Sequence, residues 1–243
     1  MSKNWEILSR SSEFELFWES DFQPPNVRME ERARAIWETA VRKNPGAYIN
    51  GSMLAFHSVS VDQAKTVVRC IRTQYMYYFA QHRDPELDFG LRPVAVSGIV
   101  EIPSEYGPAF VIAKRGKTVT QYPGYLEFIP SGGIDGGSLA DSGRADFISQ
   151  LRKEFTEETG VSPDAIAAIE PFAFIHDTSG GVYDICALIR ADCTGGDIKN
   201  GISKSGEYSD VAIVPRSEIE SFAKKHKREF IPTSLAIIQA LKK

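Results

Sequence analysis

The stretch from Gly132 to Val161 constrains this chain more than any other, and its densest part reads Lys153-Glu154-Phe155-Thr156-Glu157-Glu158-Thr159-Gly160-Val161. At ~100° per residue, Phe147, Ile148, Leu151 and Phe155 fall on one side of a helix, so the segment has a face to bury. Glu154, Glu157 and Glu158 follow the i, i+3, i+4 spacing that sets side chains beside one another. Like charges so placed cost about 0.2–0.5 kcal/mol a pair, and these lie near a helix C-terminus, where the macrodipole also disfavours anions. Two readings follow. One is a solvated acidic face. The other is a site for a hard divalent cation with oxygen ligands, Mg²⁺ first and Mn²⁺ as its alternative. Glu158 favours the second, because it projects close to the direction of Leu151, on the edge of the apolar stripe.

At these residues the chain resembles the Nudix hydrolases, whose box reads G-x(5)-E-x(7)-R-E-U-x-E-E-x-G-U, with U a bulky aliphatic or aromatic residue. Lys153 to Val161 fits the second half with lysine for arginine, and Pro130-Ser131-Gly132-Gly133 is similar to the Pro-Gly-Gly turn that opens the box. The first half departs. The position of its glutamate falls on Ala145, beside Asp146, and the position of its glycine falls on Leu139, whereas the candidate glycine is Gly133. A Gly- and Ser-rich insertion of six residues reconciles the two ends. The resemblance implies an α/β fold, an α/β/α sandwich with a mixed sheet, and Mg²⁺-dependent hydrolysis of a nucleoside diphosphate derivative. It implies Glu154, Glu157, Glu158 and Gly133 as metal ligands, with Glu154 also orienting water and Lys153 orienting Glu154. Lysine brings a point charge to that task rather than the planar fork of arginine.

The likeness extends along the chain. Ala35-Ile36-Trp37-Glu38-Thr39, Phe56-His57-Ser58 and Thr73 with Tyr75 resemble the Nudix subgroup that hydrolyses UDP-glucose and UDP-galactose. By the same resemblance Glu207, in Ser205-Gly206-Glu207-Tyr208, becomes a distal metal ligand or general base, and Asp184 matches a strand acid. Tyr75, His57 and Asp184 are then the substrate-binding candidates, with Tyr75, Tyr77 and His57 offering an aromatic face and a ring donor to a uracil. The runner-up substrate is ADP-ribose or another nucleoside-diphosphate sugar. A different class also stays open: a catalytically silent nucleotide-binding module, given Ala145, the insertion and Lys153.

The remaining sequence bounds the function. A net charge of −4 over 243 residues offers no broad cationic field, so nucleic acid and anionic lipid are not expected partners; a small nucleotide sugar is, and a homodimer is compatible. Residues Met1 to Glu6 lack an apolar run of signal-peptide length and no stretch approaches the roughly 20 apolar residues of a membrane span, which points to a cytoplasmic protein. Cys70, Cys186 and Cys193 form no C-x-x-C pair and read as reduced thiols. His82-Arg83-Asp84 and Asp88-Phe89-Gly90 mimic kinase signatures, but Phe89 stands where the catalytic loop needs asparagine. Gly116-Lys117-Thr118 lacks the first glycine of a phosphate-binding loop and reads as the turn of a hairpin between Phe110–Lys114 and Thr118–Tyr122.

Residues 1–92 are expected to form an accessory lobe and 93–243 the Nudix domain. In the lobe, an extended arm stops at Pro24-Pro25, a helix runs from Met29 to Val41, two strands cover 54–59 and 65–72, and the aromatics Tyr75 to Phe79 read as core. Strands are expected at 94–102, 110–114, 125–129, 172–175, 182–189 and 211–214, and a closing helix at 234–241 capped by Thr233. Lys224 to Arg228 reads as a solvated helix face.

Overall fold

The computed structural model describes residues 3–63, 65–119, 121–138, 143–205 and 207–242. Leu139 and Gly206, met in the box count and the loop motif, lie outside the described residues, as do Met1, Ser2 and Thr120.

The N-terminal arm is two strands, β1 (Trp5–Ser9) and β2 (Glu13–Asp21). Helix α1 (Val27–Lys43) starts where Asn26 accepts a bond from Met29 N at 3.0 Å. Strands β3 (Ser52–Asp62) and β4 (Lys65–Gln74) follow, and the aromatic run becomes helix α2 (Tyr75–Arg83). In the second half come β5 (Val94–Ile102), β6 (Ala109–Arg115), β7 (Leu126–Phe128), β8 (Ser131–Gly133), α3 (Phe147–Thr159), β9 (Ile166–Asp177), β10 (Val182–Ala191), α4 (Gly195–Ser205), β11 (Tyr208–Pro215), α5 (Ile219–Lys225) and α6 (Pro232–Ala240).

The large sheet runs β1-β9-β10-β5-β6-β11, with β7 joined to β6 and β8 to β5. It is mixed, since β10 and β5 are parallel while their neighbours are antiparallel. Its alternating side chains make two cores. Val94, Val96 and Val100 of β5 pack with Leu151 and Phe155 of α3 and Ile198 of α4. Ile99 of the same strand packs on the other face with Ile219 of α5 and Ile237 of α6. A strand buried on both faces reads as a largely apolar run, and β5 is buried throughout, with only Ser97 and Glu101 breaking its apolar sequence. The α/β/α sandwich with a mixed sheet expected for this half is therefore the architecture observed. No helix of the described residues is long and apolar enough to cross a membrane.

The small sheet, ordered β2-β4-β3, carries α1 and α2. Its other face shares the core of the sandwich: Phe14, Leu16, Leu54 and Val68 pack with Phe147 and Phe155, and Phe14 meets Phe147 edge-on at 6.3 Å. Strand β1 departs from the division at residue 92 by pairing with β9 of the large sheet.

Two local expectations are corrected. The expected hairpin partner of β6, Thr118 to Tyr122, is not a strand in its described residues; Tyr122 takes a left-handed φ of 48°, and β6 pairs with β7 and β11. Thr233 does not cap α6. Ile231 holds that position, and Thr233 lies in the first turn with its hydroxyl turned to Asp184.

Candidate active site

Strands β5 and β6 pair only at Glu101–Phe110 and Ile102–Ala109. Beyond that point they diverge, β8 lining one side of the gap and β7 the other. A cavity of about 600 Å³ occupies this fork. Its walls include Ser131, Gly132 and Gly133 of β8, Glu127 of β7, and Glu207. Its far end is lined by Tyr75, Tyr78, Tyr122, Asp177 and Asp184.

The acidic end is built from α3 upward. Asp146 caps α3, accepting from Ser149 N at 3.0 Å, and the helix stops at Gly160, which has a left-handed φ of 66°. Asp146 is thereby committed to the cap, and its neighbour Ala145 is buried in the core, so neither supplies the first carboxylate of the box. Glu158 is 2 % exposed; it accepts from Ser131 N at 2.9 Å and from the Tyr208 hydroxyl at 2.9 Å. Burial pushes its carboxyl well above the usual carboxylate range, and Glu127 and Glu207 add to the rise. Glu127 is fully buried and ion-paired with Arg115, yet burial still lifts its carboxyl to about 7. Glu154 lies against Gly132, where any Cβ would overlap its carboxylate, and accepts from Gln150 Nε2 at 2.7 Å. Burial raises it to about 7, with Glu157 and Glu207 contributing. Glu157 is exposed.

Glu127, Glu154 and Glu158, each raised by burial and by the nearby Glu207 carboxylate, offer with Glu207 an all-oxygen donor set, which is the chemistry a hard divalent cation relieves. Among the described residues no three His, Cys, Asp or Glu stand together as a metal cluster, so holding an ion requires these side chains to turn toward it. The donor chemistry fits Mg²⁺ or Mn²⁺. Gly133, the remaining ligand candidate, is on the cavity wall and exposed.

Two candidates stand elsewhere than their expected roles require. Lys153 does not hold Glu154: its Nζ bonds Asp135 Oδ2 at 2.9 Å, while Gln150 is the residue bonded to Glu154. His57 is absent from the cavity wall; it sits at a register shift of β3, exposed, 3.7 Å from Glu19. An i,i+4 glutamine reaches along the helix face more directly than an adjacent lysine, and one slipped position turns a strand residue to the other face.

The far end joins aromatic faces to buried acids. Tyr75 and Tyr78 line it from α2, in a cluster with Trp37 and Phe79, while Tyr77 packs into the lobe against Phe22 and Phe89. Asp184 is 5 % exposed and accepts from Ser97 Oγ at 2.9 Å and Thr233 Oγ1 at 3.1 Å. Burial raises its carboxyl to about 6. Asp177 accepts from the Tyr122 hydroxyl at 2.6 Å.

Sequence reasoning missed Glu127, Tyr208, Gln150, Tyr122 and Asp177. Glu127 alone left a signal, as the single acid in the apolar run Tyr125 to Ile129. The others are joined to the site by contacts between distant segments.

No protein-family model matches the chain, and no curated protein matches it. Several solved structures are similar to it. DR0079 from Deinococcus radiodurans superposes with a TM-score of 0.47 and 16% identity, covering 64% of this chain and 88% of its own. The NUDIX domain of Shewanella oneidensis NrtR, complexed with ADP ribose, gives a TM-score of 0.44 and 14% identity over 65% of this chain and 90% of its own. A bifunctional NMN adenylyltransferase/ADP ribose pyrophosphatase from Francisella tularensis, complexed with AMP and a Mn ion, gives 0.43 and 14% over 69% and 45%.

Proposed function

We propose that this chain is a Nudix-type, Mg²⁺-dependent hydrolase of nucleoside-diphosphate-linked compounds. The observation that carries the reading is the gathering of acids at one end of a cavity with aromatic and hydroxyl-bearing walls: Glu127 and Glu207 line it, and Glu154 and Glu158 stand against Gly132 and Ser131 of its β8 wall. We assign the chemistry to residues 93–243 with β1, and we take residues 10–92 as a lobe that closes the cavity with Tyr75 and Tyr78.

In this reading a water attacks one phosphorus of the diphosphate in line with the departing phosphate oxygen. One P–O bond forms, one breaks, and the water gives up a proton. Glu207, on the cavity wall, or Glu154 accepts that proton. Glu154, Glu157 and Glu158 are the proposed ligands of Mg²⁺, which when bound neutralises the diphosphate and lowers the pKa of the attacking water. Tyr208 and Ser131 N hold the Glu158 carboxyl in place, and Gln150 holds that of Glu154.

The substrate we infer is UDP-glucose or UDP-galactose, cleaved to UMP and a sugar 1-phosphate. The support is the UDP-sugar motif resemblance, with Tyr75 and Asp184 on the cavity wall. ADP-ribose is the second reading and is as well supported, because the aromatic faces of Tyr75 and Tyr78 on the cavity wall can stack on any base. The test is kcat/KM for UDP-glucose, ADP-ribose, ADP-glucose and GDP-mannose with Mg²⁺. Uridine compounds are expected to lead, and a faster adenine compound moves the substrate to the second reading.

A further inference from the structure

The far wall of the cavity carries two buried acids, and Arg115, the one basic side chain among the described residues that line the cavity, is ion-paired with Glu127. Asp184 receives one hydroxyl on each carboxylate oxygen, from Ser97 and Thr233. Asp177 receives the Tyr122 hydroxyl on Oδ2, and Ser179 N, Ser179 Oγ and Gly180 N on Oδ1, each of these three at 2.9 Å. Among the described residues no lysine, arginine or histidine pairs with either acid at ion-pair distance. A carboxylate has about four acceptor sites, so Asp184 keeps capacity for further O–H donors.

The register fixes how far this wall is from the acidic end. Asp184 is paired with Ala95, and Ala95 with Gly133. Asp184 is thus two strand spacings, roughly 10 Å, from the β8 turn against which Glu154 lies. A phosphate and one sugar ring span such a distance. A hydroxyl-rich ring placed there finds acceptors from buried acids, whereas an acid on the same ring meets like charges at low dielectric.

We propose that Asp177 and Asp184 select the substrate by charge: the group bound at this wall is a neutral, polyhydroxylated glycosyl unit, and sugars bearing a carboxylate are rejected. The inference rests on the reading of the cavity as a nucleoside-diphosphate site. If the two acids served only to tie β10 to β5 and α6 and to close the Asp177–Gly181 turn, they would leave no mark on which sugar is used.

The experiment compares glucose with glucuronate as the sugar of a nucleoside diphosphate, with uracil and with adenine as the base. kcat/KM is measured with Mg²⁺ and Kd by calorimetry without it, for the wild type, Asp184→Asn and Asp177→Asn. The wild type is expected to favour glucose over glucuronate by about tenfold or more in both readouts, and Asp184→Asn to shrink that ratio by at least about threefold. Equal use of the two sugars by the wild type overturns the inference, as does a ratio unchanged in both variants. Hydrolysis without discrimination sinks the charge filter and leaves the hydrolase standing. Binding with discrimination but no product sinks the hydrolase and leaves the filter. If no compound of the set binds, both fall.

Discussion

Glu158 is the residue on which most of the site converges. It is buried, bonded to Ser131 N and Tyr208, and raised well above the carboxylate range by burial and by Glu127. Glu158→Gln keeps the amide-to-carbonyl bond from Ser131 and removes the charge. It is expected to abolish Mg²⁺-dependent turnover while raising the melting temperature of the metal-free protein, because a carboxyl whose ionisation is penalised by burial is gone. Near-normal turnover in this variant contradicts the metal-site reading. Glu207→Gln is expected to lower kcat by roughly 10²-fold or more if it takes the proton, and an unchanged kcat removes it from the mechanism. Asp184 makes a pH prediction. Its folded value of about 6 lies above the ordinary 3.8, so between these values the native state holds a proton that the unfolded chain has released. Stability from this group is present below pH 3.8, falls as pH rises to about 6, and stays low above it. Asp184→Asn removes that slope and is expected to stabilise the protein at pH 7 by on the order of 2 kcal/mol, read from denaturant melts at pH 4 and pH 7.

At the scale of elements, two glycine contacts set how α3 meets its neighbours. Gly132 has no room for a Cβ beside Glu154, so Gly132→Ala is expected to displace that carboxylate and lower kcat with little change in melting temperature. Gly201 of α4 crosses the C-terminus of α3 at the Thr159 carbonyl, and a Cβ built on Gly160 stands 2.9 Å from Gly201 Cα. Gly201→Ala is expected to cost about 1–3 kcal/mol by forcing α4 away, measurable by thermal melts of the variant. Both contacts illustrate what one sequence conceals. The local elements were legible: β5 matches its expected bounds, and α3 and α6 follow from their apolar spacing. Pairings were not. Nothing between residues 109 and 128 says that β6 returns with Leu126–Phe128 rather than Thr118–Tyr122, because that choice depends on β11 and on the contact of Leu126 with Phe230. Asp146 shows the same limit, since an acid before an apolar run reads equally as a cap or as a box carboxylate until Ser149 N is seen bonded to it.

At the scale of the molecule, the candidate site lies where the sheet forks. Opening β5 from β6 lets β8 present its glycines to α3 and lets Glu127 reach the same space, so one defect in the sheet gathers acids from β7, α3 and the segment before β11. The small sheet closes this arrangement through a core shared with α3, and α2 brings Tyr75 and Tyr78 to the cavity. The three box acids, Glu207, Asp184 and Tyr75 were all legible in the sequence as candidates. Tyr208 was not, and Glu127 showed only as a lone acid in an apolar run, because burial, rather than spacing, joins them to Glu158. The measurement that tests the central claim most directly is product release from UDP-glucose and ADP-ribose with and without Mg²⁺, in the wild type and in Glu158→Gln. The account predicts a nucleoside monophosphate and a sugar phosphate that appear only with Mg²⁺ and only in the wild type. A melting temperature raised by either compound, with no product from any of them in the presence of Mg²⁺, would contradict it and leave a nucleotide-binding module in its place.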